Sequence, residues 1–427
     1  MSLRIKDVHL FDPLNGIDEV GNILIEEGKV VKELTSFPIE EINGKGLYLF
    51  PGFIDVHSHF REPGAEDAET IETGSKAAVK GGYTSVCVMP NTEPPIDNEG
   101  VARFIKEKSE EVGLCRVFPI GTITKGRKGK ELSEMSHLFE AGCVAFSDDG
   151  DCVMDSFLLR NALEYSKLFN TPIIDHPEDK SLSAKGQMNE GVISTILGLK
   201  GIPDISESTV VARDLLLSKF TSGRLHLAHI STADSVKLIR EFKTEKITSE
   251  VTPHHLILSD EEIKDFDPNK KMNPPLRTKA DLEILQKALV EGIIDVVATD
   301  HAPQPDYKKE TDFVEAAFGV IGLETSFGVL YTFLVKAGKM ELGKLIKVLT
   351  STPSKIFNLP LGEIKEGGIA DFTIVDLKGS WKVEADGFVS KSKNSPFLGK
   401  RLEGVVKYTI VDGRIVYREG DFLIKKK

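Results

Sequence analysis

The chain has 427 residues, with 54 Lys plus Arg against 66 Asp plus Glu and a formal net charge of −12. With 40% hydrophobic and 28% charged residues it can bury a large core, which excludes a disordered, collagenous or disulfide-stapled chain. The acidic balance argues against a nucleic-acid binder, because phosphate contacts need a basic surface. In chain order, the first fifty residues predict short strands joined by turns at Asp12-Pro13, Asn15-Gly16 and Glu27-Gly28. The middle alternates. Short apolar runs fall at 53–57, 84–89, 116–121, 143–147, 172–175, 224–229, 247–252 and 294–299. Between most of them lie segments with apolar residues at i, i+3 and i+4, such as 68–80, 101–112, 156–169, 208–220 and 279–291. Strand and helix repeated in this way predict a (β/α)₈ TIM barrel. The last seventy residues return to strands at 370–375 and 405–411, with a hairpin at Asp412-Gly413. Both ends are expected to share one small β-sandwich domain. The predicted division is therefore 1–50 and 356–427 for that domain, and 51–355 for the barrel.

Cys87, Cys115, Cys143 and Cys152 form no CxxC pair and read as reduced thiols, as expected in a cytoplasmic protein. Residues 1–10 lack the cationic and then apolar stretch of a signal peptide. No apolar run approaches the ~18 residues of a membrane span. The run Lys425-Lys426-Lys427 is expected to be a solvated end.

A barrel places its chemistry at the C-terminal ends of its strands. The first run closes with His57-Ser58-His59, and i, i+2 residues of a strand share a face. Later runs close with Ser147-Asp148-Asp149-Gly150, Asp175-His176, Ala228-His229 and Thr299-Asp300-His301. A lone His or Asp is usually a satisfied core group or a helix cap. So many at one topological location instead predict a metal centre. Imidazoles with carboxylates and no thiolate suit catalytic Zn²⁺. The candidate ligands are too many for one tetrahedral ion, so two ions sharing a carboxylate are expected, suited to hydrolysis at a carbonyl carbon. Arg61 can project into the same mouth and hold a carboxylate. Asn91 and Asn273 are placed as further polar contacts, or alternatively as turn and cap residues. The basic loop 125–130 predicts no chemistry. His9, His137, His226, His254, His255 and His301 read as structural or orienting groups, with His255 and His301 the foremost exceptions.

These residues stand in motifs: HSHFREPG at 57–64, MPNTEPPIDN at 89–98, FSDDG at 146–150, DHPED at 175–179, AHIST at 228–232, MNPPLR at 272–277 and ATDHAP at 298–303. GGIADFTIVD at 367–376 follows near the C-terminal end. In these motifs and their order the chain resembles the bacterial dihydroorotases of the longer, barrel-plus-β-domain class in the amidohydrolase superfamily. The resemblance implies that His57, His59 and Asp300 bind one zinc ion and His176 and His229 the second. Asp149 would bridge the pair, where many relatives carry a carboxylated lysine. Asp300 would act as general base and then acid. His59, Arg61, Asn91, Asn273, residue 304 and the Phe318–Gly319 backbone would contact substrate, and the loop after Pro303 would be a mobile lid. The family usually reads TDHAPH, whereas this chain has Gln304. Glutamine donates a hydrogen bond but carries no positive charge.

The implied reaction is the reversible cyclisation of N-carbamoyl-aspartate to dihydroorotate in pyrimidine synthesis, by a cytoplasmic homo-oligomer. Two alternatives stay open. One is another cyclic amidohydrolase, a hydantoinase or allantoinase, against which Arg61, Asn91 and Asn273 speak. The other is a weakly active scaffold for aspartate transcarbamoylase, against which the full ligand set speaks.

Overall fold

The computed structural model describes residues 2–424. The run Lys425-Lys426-Lys427 lies outside the described residues. Parallel strands occupy the middle of the chain: β1 (Phe53–Ser58), β2 (Tyr83–Val88), β3 (Arg116–Pro119), β4 (Phe146–Ser147), β5 (Ile173–Asp175), β6 (Leu225–Leu227), β7 (Ile247–Val251) and β8 (Val296–Val297). Each overlaps one predicted apolar run. They pair as two groups, β1-β2-β3 and β4-β5-β6-β7-β8. Single parallel bridges link the groups: Gly121 with Phe146 on one side, Ser58 with His301 on the other.

Side-chain alternation explains the packing. Ile54, Val56, Cys87, Ile174 and Val296 join Met89, Ile120, Ala145, Ala228 and Ala298 in one buried cluster capped by Phe357, Leu359 and Leu361. Their strand neighbours Phe53, Val86, Val117, Phe146, Ile173, Leu225 and Val297 belong instead to a second cluster shared with helices. A period of two sends successive residues to opposite faces, so fully apolar strands are buried on both sides. Each fully buried aliphatic or aromatic side chain contributes about 1.5–3 kcal/mol.

The helices begin where polar caps occur. Thr70 caps Ile71–Lys80 and Asn98 caps Glu99–Val112. Thr232 caps Ala233–Phe242. Thr278 and Asp281 form a reciprocal capping box at Lys279–Glu291. Strands from both chain ends form one nine-stranded sheet. Phe372–Lys382 pairs antiparallel with Tyr48–Pro51, which pairs in parallel with Ser2–Asp12. No helix among the described residues is long and apolar enough to cross a membrane. The four cysteines form no disulfide.

Candidate active site

The strand ends bring the candidate ligands together. His57 lies within β1, and His59 stands one residue beyond its last member, Ser58. Strict strand alternation therefore does not reach His59, yet both rings converge. His57 Nε2 lies 3.4 Å from Asp149 Oδ1 and 3.6 Å from Asp300 Oδ1. His59 Nε2 lies 3.1 Å from Asp300 Oδ1 and 3.6 Å from Asp149 Oδ2. Beyond β5 and β6, His176 Nδ1 faces His229 Nε2 at 2.8 Å. Asp149 Oδ1 is 3.5 Å from the first and 3.8 Å from the second. One carboxylate thus stands within ion-pair reach of all four imidazoles, and all these groups are buried.

Electrostatics follow from that crowding. Burial alone would raise the Asp149 carboxyl, but the His57, His176 and His229 rings hold it well below the usual carboxylate range. Burial is likewise overcome at Asp300, chiefly by the hydrogen bond from His59 and the charge of His57. His57 is pulled the opposite way: burial opposes its charge, and Glu250 and Asp149 raise it well above the ordinary imidazole value.

His57, Asp149 and His229 offer ligand atoms all within 4.8 Å of one another, and so do His57, His59 and Asp300. His57 Nε2, Asp149 Oδ1 and His229 Nδ1 are buried without a hydrogen-bond partner. Buried polar atoms left unpaired cost about 1–3 kcal/mol each, and a cation facing His57 Nε2 and Asp149 Oδ1 would satisfy those two, while His229 faces the same point through Nε2. Imidazole nitrogens and carboxylate oxygens are ordinary donors to a divalent transition metal. The residues fit one.

Residues outside the ligand set hold it in place, and most of them were not singled out from sequence. Glu250, inside the buried β7, accepts from His57 Nδ1 at 2.5 Å and from the His229 backbone N–H at 3.2 Å. Its other oxygen lies 3.1 Å from His226 Nε2. Burial opposes its ionisation, but His57 and His226 bring the carboxyl down to about 2. Glu178 lies 3.2 Å from His176 Nε2 and accepts from Asn273 Nδ2 at 3.0 Å. Asp55 accepts the Thr299 backbone N–H at 2.8 Å, fixing the chain next to Asp300. A charged residue inside an apolar run is the signal that would have found Asp55 and Glu250, because burying a charge is tolerated only when it is paired. Arg127, in loop 125–130, adds a positioning contact and no group to the ligand set. Its guanidinium donates to the Asp149 carbonyl at 2.6 Å and to Asp151 Oδ2 at 2.8 Å, clamping the turn that carries Asp149.

Arg61 stands at a left-handed φ of 60°, as do His229 at 30° and Asp300 at 44°. Such residues cost of order 1–3 kcal/mol and concentrate at functional sites. The Arg61 Nε donates to the Pro303 carbonyl at 3.3 Å, which leaves its terminal nitrogens for a ligand. Asn91 Oδ1 lies 2.8 Å from His59 Nδ1. Gln304 Nε2 donates to the Phe318 carbonyl at 2.8 Å. Gly319 has φ 120°, and a Cβ there would lie 2.7 Å from the Ala302 carbonyl oxygen, so the backbone path requires glycine. An opening of about 570 Å³ is lined by Gly150, Glu178, Lys180, Lys185, Asn273 and Phe318 among others.

Three of the remaining histidines are held by other partners. His226 pairs with Glu250 and Thr248. His255 bonds Thr252 and the Pro274 carbonyl, and His301 bonds Glu69 and the Gly322 N–H, so neither joins the ligand cluster.

Solved structures share the overall fold. The L-hydantoinase (dihydropyrimidinase) from Arthrobacter aurescens superposes with a TM-score of 0.88 at 25% identity, covering 99% of this chain and 97% of its own. The dihydropyrimidinase from Brevibacillus agri shares the fold, at a TM-score of 0.83, 22% identity and 99% and 96% coverage. The family model described as Dihydro-orotase-like matches residues 46–235. Proteins named dihydroorotase from Endomicrobium trichonymphae and Thermoanaerobacter sp. (strain X514) are each 47% identical over 98% of this chain, covering 100% and 98% of their own lengths. The chain belongs to the dihydroorotase family.

Proposed function

We propose that the protein is a dihydroorotase: it interconverts N-carbamoyl-L-aspartate and (S)-dihydroorotate, closing or opening a cyclic amide in pyrimidine synthesis. The observation that carries this reading is Asp149 within 3.8 Å of four imidazoles, with Asp300 against two of them. His57, His59 and Asp300 would hold one zinc ion, His176 and His229 a second, and Asp149 both. When bound, the ions supply Lewis-acid polarisation of a carbonyl and activation of water at neutral pH.

The rest is the work of this chain's own groups. Asp300 is held as a carboxylate, so it can take a proton and return it to the ring nitrogen. Arg61 presents its terminal nitrogens to the substrate carboxylate, a bidentate pairing that orients the ring. Asn91, Asn273, Gln304 and the Phe318–Gly319 backbone add polar contacts along the same mouth. Glu250 and Glu178 fix the ring orientations of His57 and His176.

In this reading the two strand groups form one closed (β/α)₈ barrel spanning 51–355. Residues 1–50 and 356–427 form a small β-sandwich domain beside it. A cytoplasmic homo-oligomer, able to associate with an aspartate transcarbamoylase, belongs to the same reading. The fold likeness to hydantoinases favours a second reading, hydrolysis of a cyclic amide without a carboxylate, and Arg61 counts against it. Zinc-reconstituted protein should convert dihydroorotate to N-carbamoyl-aspartate and run the reverse at lower pH. Stoichiometric zinc binding with no turnover in either direction would overturn the proposal.

A further inference from the structure

Two buried lysines lie outside the ligand set and touch no carboxylate within ion-pair distance. Lys271 belongs to the loop before Asn273, and Lys309 to the short helix Asp306–Lys309. Each reaches into the other's segment. Lys271 Nζ donates to the Phe313 and Val314 carbonyls, both at 2.8 Å. Lys309 Nζ donates to the Pro268 carbonyl at 2.9 Å and the Lys271 carbonyl at 3.1 Å. The Lys271 ammonium also lies over the Phe318 ring, 4.7 Å from its centroid. Outside these contacts, segment 305–318 carries mostly exposed side chains. One further tie is Tyr307 Oη to Asp67 Oδ2 at 2.8 Å.

The acceptor count is informative. Each Nζ meets two carbonyls, and a neutral amine has two N–H donors. Loss of the third proton therefore breaks no hydrogen bond, though at Lys271 it gives up the attraction of the ammonium for the Phe318 ring, whereas keeping it leaves a buried charge. The charged groups facing the pair are Glu315 toward Lys271, and Asp267 and Lys271 itself toward Lys309. Burial first, and for Lys309 the neighbouring ammonium second, bring the two amines down to about 8 and about 7.

We propose that Lys271 and Lys309 form a reciprocal latch seating segment 305–318 on loop 268–276, and that seating releases protons, so the segment closes more firmly as pH rises. The sign follows from linkage. The seated state binds fewer protons than an unseated state with ordinary lysines, so closure strengthens from about pH 7 toward the free lysine range near 10.4. Each released proton changes the closure constant by up to about tenfold per pH unit. The consequence for substrate rests on the proposed function: the latch positions Asn273, two residues from Lys271, and Phe318 beneath it. The latch itself does not rest on that reading.

Amide hydrogen exchange of the intact, zinc-loaded protein without substrate tests it. After correction for intrinsic exchange, protection of 305–318 should rise at least about tenfold from pH 6.5 to 9, while the helix Glu99–Val112 shows no such trend. Lys309→Met should abolish most of the rise, and Lys271→Met serves if that variant fails to fold. Flat or falling protection in the wild type, or a full rise retained in the folded variant, overturns the latch. Either outcome leaves dihydroorotase activity to be judged separately.

Discussion

Glu250 shows how much of the site depends on a residue that touches no substrate. It binds His57 Nδ1, His226 Nε2 and the His229 backbone at once. Orienting partners of metal-bound histidines typically contribute 10–100-fold in metal affinity. Glu250→Gln should therefore weaken zinc binding by that order in a chelator competition, with the far-UV spectrum kept. Unchanged affinity would show that the His57 ring is fixed by packing alone. Arg61 makes a different prediction, because it would meet the substrate and not the metal. Charge-assisted hydrogen bonds contribute about 1.5–3 kcal/mol. Arg61→Met should raise KM for dihydroorotate by roughly 10–150-fold at unchanged zinc content. An unchanged KM would remove Arg61 from the carboxylate site. These two residues also mark what a sequence shows. Arg61 stands out because it follows two histidines at a strand end. Glu250 gives only the weaker signal of a charge inside a buried strand, which does not say which ligand that charge will orient.

Turns and caps, not strands, carry most of what composition could not predict. The eight apolar runs were readable because fully buried parallel strands need continuous hydrophobic residues. Loop 125–130 was not: its lysines and glycines resemble any solvated turn, and only folding brings Arg127 against the turn bearing Asp149. Arg127→Ala should loosen that turn and lower zinc affinity several-fold while leaving urea stability within about 1 kcal/mol. A loss confined to stability would assign Arg127 a structural role only. The capping box at Lys279–Glu291 predicts the reverse pattern. Thr278 accepts from the Asp281 N–H, and Asp281 Oδ1 also accepts from the Ala233 N–H. Thr278→Ala should cost about 1 kcal/mol in urea unfolding with zinc affinity unchanged. Altered zinc affinity would mean that this helix start is coupled to the site.

Over the whole molecule, the net charge of −12 and the anionic substrate pose no conflict. Local groups decide what binds: Arg61 at the mouth, Lys180 and Lys185 lining the opening, and any cation that the buried carboxylates and imidazoles would hold. A cation would also stabilise the fold, since His57 Nε2 and Asp149 Oδ1 are buried without partners. A ligand at a thousand-fold excess over its Kd stabilises by about 4 kcal/mol. Chelation should therefore lower Tm by several degrees, and readdition of zinc should restore it. An unchanged Tm would mean that the site gains nothing from a cation. The central claim is substrate choice within a fold shared with hydantoinases. The most direct measurement is kcat/KM of the zinc-loaded protein for dihydroorotate and hydantoin side by side. Turnover of dihydroorotate with hydantoin slower by at least two orders of magnitude is predicted; turnover of hydantoin but not dihydroorotate would contradict it.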